Sequence, residues 1–96
     1  MPGRRRCRRV GFQPAFISFS PAGNGGTEPD AMILTIDEFE AVRLKDLEGH
    51  DQSLCAEMMD ISQPTFHRLV ISARKKIADA LTHGKTIKIE GGNYRF

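Results

Sequence analysis

A mainly α fold is expected: a three-helix core of the helix-turn-helix kind, with a short two-stranded β-ribbon formed by the N- and C-terminal segments. Three observations predict it. After Asp51, a short apolar-spaced segment with Cys55, Ala56 and Met59 leads through the tight turn Asp60-Ile61-Ser62 into a long one. In that long segment Phe66, Leu69, Val70, Ala73, Ile77 and Leu81 recur at helical spacing. Upstream, Thr35 and Glu38 stand at the spacing of a capping box. Alternating apolar runs over 16–20 and 86–90 flank all three helices and read as strands.

The chain has 96 residues, enough for one domain with one modest core. Residues 1–10 read as a basic flexible arm, and 11–96 as a single domain. No apolar run approaches the roughly 20 residues of a membrane-crossing helix, and Gly11-Phe12-Gln13-Pro14 interrupts the stretch a signal peptide would need. A cytoplasmic protein without membrane contact is expected. Cys7 and Cys55 lie in unlike contexts, so free thiols are expected rather than a disulfide.

The net charge of +2 hides an uneven distribution. Residues 1–30 carry five arginines against Glu28 and Asp30, a net of +3. Residues 31–60 carry Arg43 and Lys45 against eight acids, a net of −6, and residues 61–96 carry seven bases against Asp79 and Glu90, a net of +5. Two basic ends around an acidic middle give the chain a basic face, which matters more for nucleic-acid binding than the total.

Taken in order, Arg4, Arg5, Arg6, Arg8 and Arg9 repel one another and offer nothing to bury, so the arm is expected to be disordered when free. The ordinary role of such an arm is a solvated tail; the alternative is contact with phosphates or a minor groove, which suits arginine. A strand over 16–20 follows, then a loop over 21–34 rich in Gly and Pro. The first helix, 36–47, is capped by Thr35, with Leu34 and Phe39 placed as a hydrophobic staple. Ile36, Phe39 and Val42 form its buried face, with Leu44 and Leu47 near the edges, and Gly49 ends it. Asp37, Glu38 and Glu40 are explained by capping and solvation.

The second helix, 52–59, has Asp51 as its N-cap. Ser62 caps the third helix, 63–82, and Pro64 sits in the first turn, where a missing amide hydrogen costs little. With Phe66 as the origin and about 100° per residue, Leu69, Val70, Ala73, Ile77, Ala80 and Leu81 stay within roughly 60° and form the core stripe. Gly84 ends the helix. The strand 86–90 needs a partner, and 16–20 is the candidate, within one chain or between two protomers.

If the helix-turn-helix reads DNA, geometry selects its residues. Ser62, Gln63, Pro64, His67, Arg68 and Ile71 lie on the exposed start of the third helix and are the base-reading candidates. Gln63 can pair with adenine and Arg68 with guanine through two hydrogen bonds each, and Ile71 can touch a thymine methyl. Thr65, Arg74, Lys75 and Lys76, with the five arginines of the arm, are the candidates for backbone phosphates. The ordinary role of exposed Lys and Arg is solvation; the sign change between an acidic first helix and a basic third one favours the binding role.

The stretch Leu34 to Leu81, read as L-T-I-D-E-F-E-A-V-R-L-K-D-L-E-G, A-E-M-M-D-I-S-Q-P-T-F-H-R-L and A-R-K-K-I-A-D-A-L, resembles the fourth region of bacterial sigma factors, whose helix-turn-helix reads promoter DNA. Most of the chain is similar to domain-of-unknown-function family 134 (uncharacterised protein family 0251), small prokaryotic proteins predicted to bind DNA. The shared signals are C-R-R-V near the start, P-A-G after the first strand, L-E-G before the second helix and I-E-G-G near the end. The resemblance implies a DNA-binding regulator of transcription. Asp60 stands where such motifs usually carry Gly, so an aspartate is expected to supply the left-handed turn residue.

Catalysis is not expected. His50, His67 and His83 are scattered, with no metalloprotease spacing, no phosphate-cradling glycine loop and no nucleophile beside a base. Neither a cofactor nor a metal site is expected, since Cys7, Cys55 and a histidine would have to converge from distant segments. Double-stranded DNA is the expected partner, with a homodimer through the β-ribbon to enlarge a single module's small interface. The competing readings are a module that docks on RNA polymerase through its acidic first helix, and a binder of nucleic acid without sequence preference.

Overall fold

The computed structural model describes residues 7–23 and 29–96, in the order β1 (Arg8–Arg9), β2 (Ser18–Phe19), β3 (Ala31–Leu34), α1 (Ile36–Val42), α2 (Gln52–Met59), α3 (Gln63–His83), β4 (Thr86–Ile89) and β5 (Tyr94–Arg95). The capping box at the start of α1 is complete: Thr35 Oγ1 accepts the Glu38 amide and Glu38 Oε1 accepts the Thr35 amide. The staple pair, Leu34 and Phe39, meets in one apolar cluster. α1 does not stop at Val42 but widens into a π-helical turn over Arg43–Leu47, in which the Glu48 amide reaches back to the Arg43 carbonyl. Gly49 then leaves the helix at φ +79°.

Two apolar clusters hold the helices and the sheet. Ala41, Leu44, Cys55, Ala56, Met59, Phe66 and Val70 pack α1, α2 and α3 together, with Ile61 of the turn leaning on them. Leu34, Ala73 and Ile89 form the second cluster, which joins α3 to the sheet, with Ile36, Phe39, Val42, Ile77 and Ile87 around it. Two residues of the expected apolar faces are not buried: Leu47 is 78% and Leu81 76% exposed.

The sheet is larger than a two-stranded ribbon. β4 is its central strand, antiparallel to β2 with Ser18 opposite Lys88, and parallel to β3 with Ala31 opposite Thr86 and Leu34 opposite Ile89. The pairing of the first and last alternating runs is therefore as expected, but shorter, and the segment expected to be loop up to residue 34 contains a strand. The run Ala-Met-Ile-Leu gives no period-2 alternation and merges into the cap of α1, so neither periodicity marks it.

Of the expected arm, residues 1–6 lie outside the described residues, and residues 8–10 are paired. Arg8–Arg9 pairs in parallel with Tyr94–Arg95, the Val10 amide donates to the Arg95 carbonyl at 2.8 Å, and Val10 is buried. Backbone pairing and one valine anchor the segment that its arginines alone would leave free. Near this ribbon, Gly92 at φ +100° brings its backbone so close to Asp37 and Thr35 that a Cβ would strike both side chains. The Ile36 amide donates to the Gly91 carbonyl there at 3.0 Å, so the Gly-Gly pair clamps the C-terminal segment to the start of α1.

Candidate nucleic-acid interface

The turn between α2 and α3 is built by local backbone chemistry. Asp51 accepts the Leu54 amide at 2.8 Å to start α2. Asp60 ends it in the left-handed region, φ 60° and ψ 45°, the only described residue other than glycine with positive φ. Its amide donates to the Ala56 and Glu57 carbonyls, and the Ile61 amide returns to Ala56 at 3.0 Å. Ser62 then caps α3 with extended backbone: its Oγ accepts the Thr65 amide and donates to the Thr65 hydroxyl at 2.9 Å. The turn needs a residue tolerant of left-handed geometry, and aspartate supplies it, as the sequence predicts.

This geometry presents the start of α3 outward. Ser62, Gln63, Pro64, His67, Arg68 and Ile71 are all exposed, while Phe66 and Val70 of the same turns are buried. The first turn of α3 contains no acid, so nothing opposes an incoming phosphate at the positive end of the helix dipole. Thr65 is half-buried and its hydroxyl is engaged, taking bonds from Ser62 and from an Arg68 Nη at 3.4 Å. It therefore orients Arg68 and is poorly placed as an independent phosphate contact.

The remaining phosphate candidates separate into two kinds. Lys75 is exposed and forms no ion pair with a described residue, which leaves its ammonium available. Lys76 is drawn inward, with Nζ 2.8 Å from Glu38 Oε1. Arg74 grips Asp46 with two hydrogen bonds of 3.0 and 2.6 Å, which hold the Asp46 carboxyl below its usual range and raise Arg74 further. Arg8 lies 3.6 Å from the buried Asp37. Arg9 is exposed on β1, and Arg4, Arg5 and Arg6 lie outside the described residues.

Of capping and solvation, the roles expected for Asp37, Glu38 and Glu40, capping holds for Glu38, but the three are not solvated. Asp37, Glu38 and Glu40 are buried. Burial opposes the charge on Glu38, but hydrogen bonds from Lys76, Ser72 and the Thr35 amide outweigh it and keep its carboxyl below the usual range. Glu40 takes two hydrogen bonds from Arg43, at 2.8 and 2.9 Å, and one from the Gly11 amide at 2.9 Å. Side chains pointing at partners 28 to 38 residues away leave no trace in local periodicity.

One basic residue was missed. Arg95 of β5 places an Nη 3.0 Å from Asp60 Oδ2, so the terminal ribbon, with exposed Arg9 beside it, is fastened next to the helix-turn-helix turn. Only the pairing of β1 with β5 reveals this. The histidines do not converge, and among the described residues no group of three or more His, Cys, Asp or Glu could hold a metal ion. Cys55 is a buried member of the core; burial pushes its thiol up, and its Sγ leans on the His50 carbonyl at 3.6 Å. Cys7 is exposed, and both cysteines are free. No helix among the described residues is long and apolar enough to cross a membrane.

Comparison with known proteins bears out the family resemblance. A chain of Thermoanaerobacter pseudethanolicus named a UPF0251 protein is 54% identical over 99% of this chain and 80% of its own length. UPF0251 proteins of Caldicellulosiruptor saccharolyticus, 58% identical over 98% of this chain and 66% of their own, and of Caldanaerobacter subterraneus, 50% identical over 99% and 80%, are similar too. No solved structure matches the chain. The model of the family described as "Protein of unknown function DUF134" matches residues 1–96, and the chain belongs to that family.

Proposed function

We propose that this chain is a sequence-specific DNA-binding protein that regulates transcription by inserting the start of α3 into the major groove. One observation carries the reading. A rigid turn, fixed by left-handed Asp60 and the Ser62 cap, holds Gln63, Pro64, His67, Arg68 and Ile71 on one exposed stripe, while Phe66 and Val70 anchor the same helix in the core. Such a stripe offers a two-donor fork in Arg68 for guanine, a donor–acceptor pair in Gln63 for adenine, and an apolar branch in Ile71 for a thymine methyl.

Lys75 and Arg9 are the exposed cations best suited to the flanking phosphates, and Arg74 and Lys76 are withdrawn from that role by Asp46 and Glu38. Docking on transcription machinery through α1 is less well supported, because three of its acids, Asp37, Glu38 and Glu40, are turned inward.

Selection of bound sequences from a random DNA library tests the reading. A recovered consensus is expected, with preference at one A·T and one G·C pair relaxed when Gln63→Ala and Arg68→Ala are introduced together. Each lost two-bond contact should reduce discrimination by about 1–3 kcal/mol, roughly tenfold to a hundredfold. Absence of binding at low salt, or a consensus untouched by the double substitution, would sink it.

A further inference from the structure

The register of the terminal ribbon sorts Arg8, Arg9 and Arg95 onto its two faces. Arg8 pairs with Tyr94 and Arg9 with Arg95 across β1 and β5, and successive side chains of a strand point to opposite faces. Arg8 lies on one face, 3.6 Å from buried Asp37. Arg9 and Arg95 share the other, on strands about 5 Å apart. From that face Arg95 reaches Asp60, Nη to Oδ2 at 3.0 Å. Asp60 is the left-handed residue of the turn, two positions before Ser62, the N-cap of α3. The face that carries Arg9 is therefore the one turned to the start of the reading helix.

We propose that the β1–β5 ribbon is a second DNA-binding element, in which Arg9 holds a backbone phosphate at the rim of the groove that α3 enters and Arg95 is the residue that positions it. The proposal rests on DNA binding by α3 and adds to it a contact of fixed geometry. The first argument is charge. An aspartate in the left-handed turn sets a carboxylate beside a helix that has to approach a polyanion, and like charges repel. Arg95 neutralises that carboxylate, and Asp37 answers Arg8. Arg9 is exposed and forms no ion pair with a described residue, so its guanidinium is left for a partner. The planar fork of a guanidinium fits a phosphate.

The second argument is rigidity. Val10, next to Arg9, is buried, and its amide donates to the Arg95 carbonyl at 2.8 Å; the Arg8 amide donates to the Asn93 carbonyl at 3.2 Å. The backbone that carries Arg9 is already ordered, so binding costs mainly the freedom of one side chain. The third argument is reach. The major groove is about 12 Å wide, so the phosphates on its rim lie roughly 6 Å to either side of a helix seated in it. A side chain one strand beyond the residue that touches the turn, about 5 Å further out, falls on that rim rather than on the base edges.

The salt dependence of DNA affinity, measured by fluorescence anisotropy on a duplex carrying the selected consensus (a mixed-sequence duplex if none emerges), tests this. Arg9→Ala should reduce the slope of log affinity against log salt by about 0.9, the equivalent of one phosphate. In an Arg95→Gln chain the same Arg9→Ala substitution should change the slope by less than about 0.3, because Arg9 is no longer held in place. Arg9 and Arg95 are both exposed, so each variant should keep wild-type circular dichroism. A slope indifferent to Arg9→Ala overturns the ribbon contact. A loss of about 0.9 in both backgrounds overturns the positioning role of Arg95. The expected slopes without a consensus would remove sequence-specific reading and leave the ribbon contact standing. A consensus with unchanged slopes removes the ribbon contact alone, and absence of binding at low salt removes both.

Discussion

Lys75 and Lys76 are neighbours of the same type on the same helix, yet they should fail in different assays. Lys76 Nζ donates to Glu38 Oε1 at 2.8 Å, and Glu38 is only 5% exposed. Lys76→Ala strips a buried carboxylate of its one cationic partner while leaving its bonds from Ser72 and the Thr35 amide. Removing one member of a fully buried pair costs about 3–5 kcal/mol. The Lys76 side chain is 30% exposed, and two of Glu38's partners survive. The expected loss is therefore about 1.5–3 kcal/mol. Lys75→Ala removes an exposed side chain with no such partner and should stay within about 0.5 kcal/mol.

Urea unfolding followed by circular dichroism separates the two. Lys76→Ala should lower the midpoint by on the order of 1 M with the slope unchanged, while Lys75→Ala leaves the midpoint in place. On DNA the order reverses: Lys75→Ala should reduce the dependence of log affinity on log salt by about 0.9, and Lys76→Ala should leave it alone. If the two variants unfold at the same urea concentration, the inward placement of Lys76 is wrong.

Three further predictions follow from the same contacts. Phe66→Ala empties the centre of the three-helix cluster, where Phe66 is fully buried, and should cost about 3–5 kcal/mol; a near-neutral calorimetric result would mean that α3 faces the other way. Asp60→Ala keeps a Cβ at φ 60° while giving up the bond from Arg95, and should cost about 1–2 kcal/mol. Asp60→Gly should lie within about 0.5 kcal/mol of wild type, and equal losses for the two would argue against a left-handed turn. Because Glu38 ionises below its usual 4.5 in the folded chain, its contribution is fully present above the unfolded value. That contribution disappears as pH falls through the folded one. Glu38→Gln should flatten that part of an acid-unfolding profile, and an unchanged profile would show that Glu38 carries no such linkage.

What could be read from the sequence was local. The Thr35–Glu38 box, the Asp51 and Ser62 caps, the left-handed Asp60 and the exposed stripe from Gln63 to Ile71 all depend on residues within one or two turns of each other, and all are present. The rest depends on distant partners. β3 is a strand because β4 lies beside it 55 residues later, as when Ala31 pairs with Thr86. Arg8–Arg9 is a strand because β5 returns to it. Neither segment has a period of its own to disclose this. Leu47 and Leu81 have the right spacing for burial and no neighbour to provide it, so amphipathic phase overestimated the core at both helix ends.

The charge pattern shows the same division most clearly. The acidic middle and basic ends suggest an acidic scaffold beside a basic reading helix. In the folded chain the acids of α1 are engaged by partners, three of them in the interior. Asp37 faces Arg8 of β1, Glu38 binds Ser72 and Lys76 of α3, and Glu40 binds Arg43 and the Gly11 amide. Asp46, at the end of α1, binds Arg74. α1 thus fixes the long helix and the terminal ribbon through its carboxylates, and four of the chain's cations are neutralised in doing so. Arg9, Arg68, Lys75 and Lys88 remain exposed without an ion pair to any described residue. The positive charge available to a polyanion is therefore smaller than the residue count suggests. Its members along α3, Arg68 and Lys75, stand seven residues apart, two helical turns on one face. If α3 reads DNA as proposed, the bases of the C-terminal third should add a salt dependence of affinity equivalent to only a few phosphates, rather than to all seven of them.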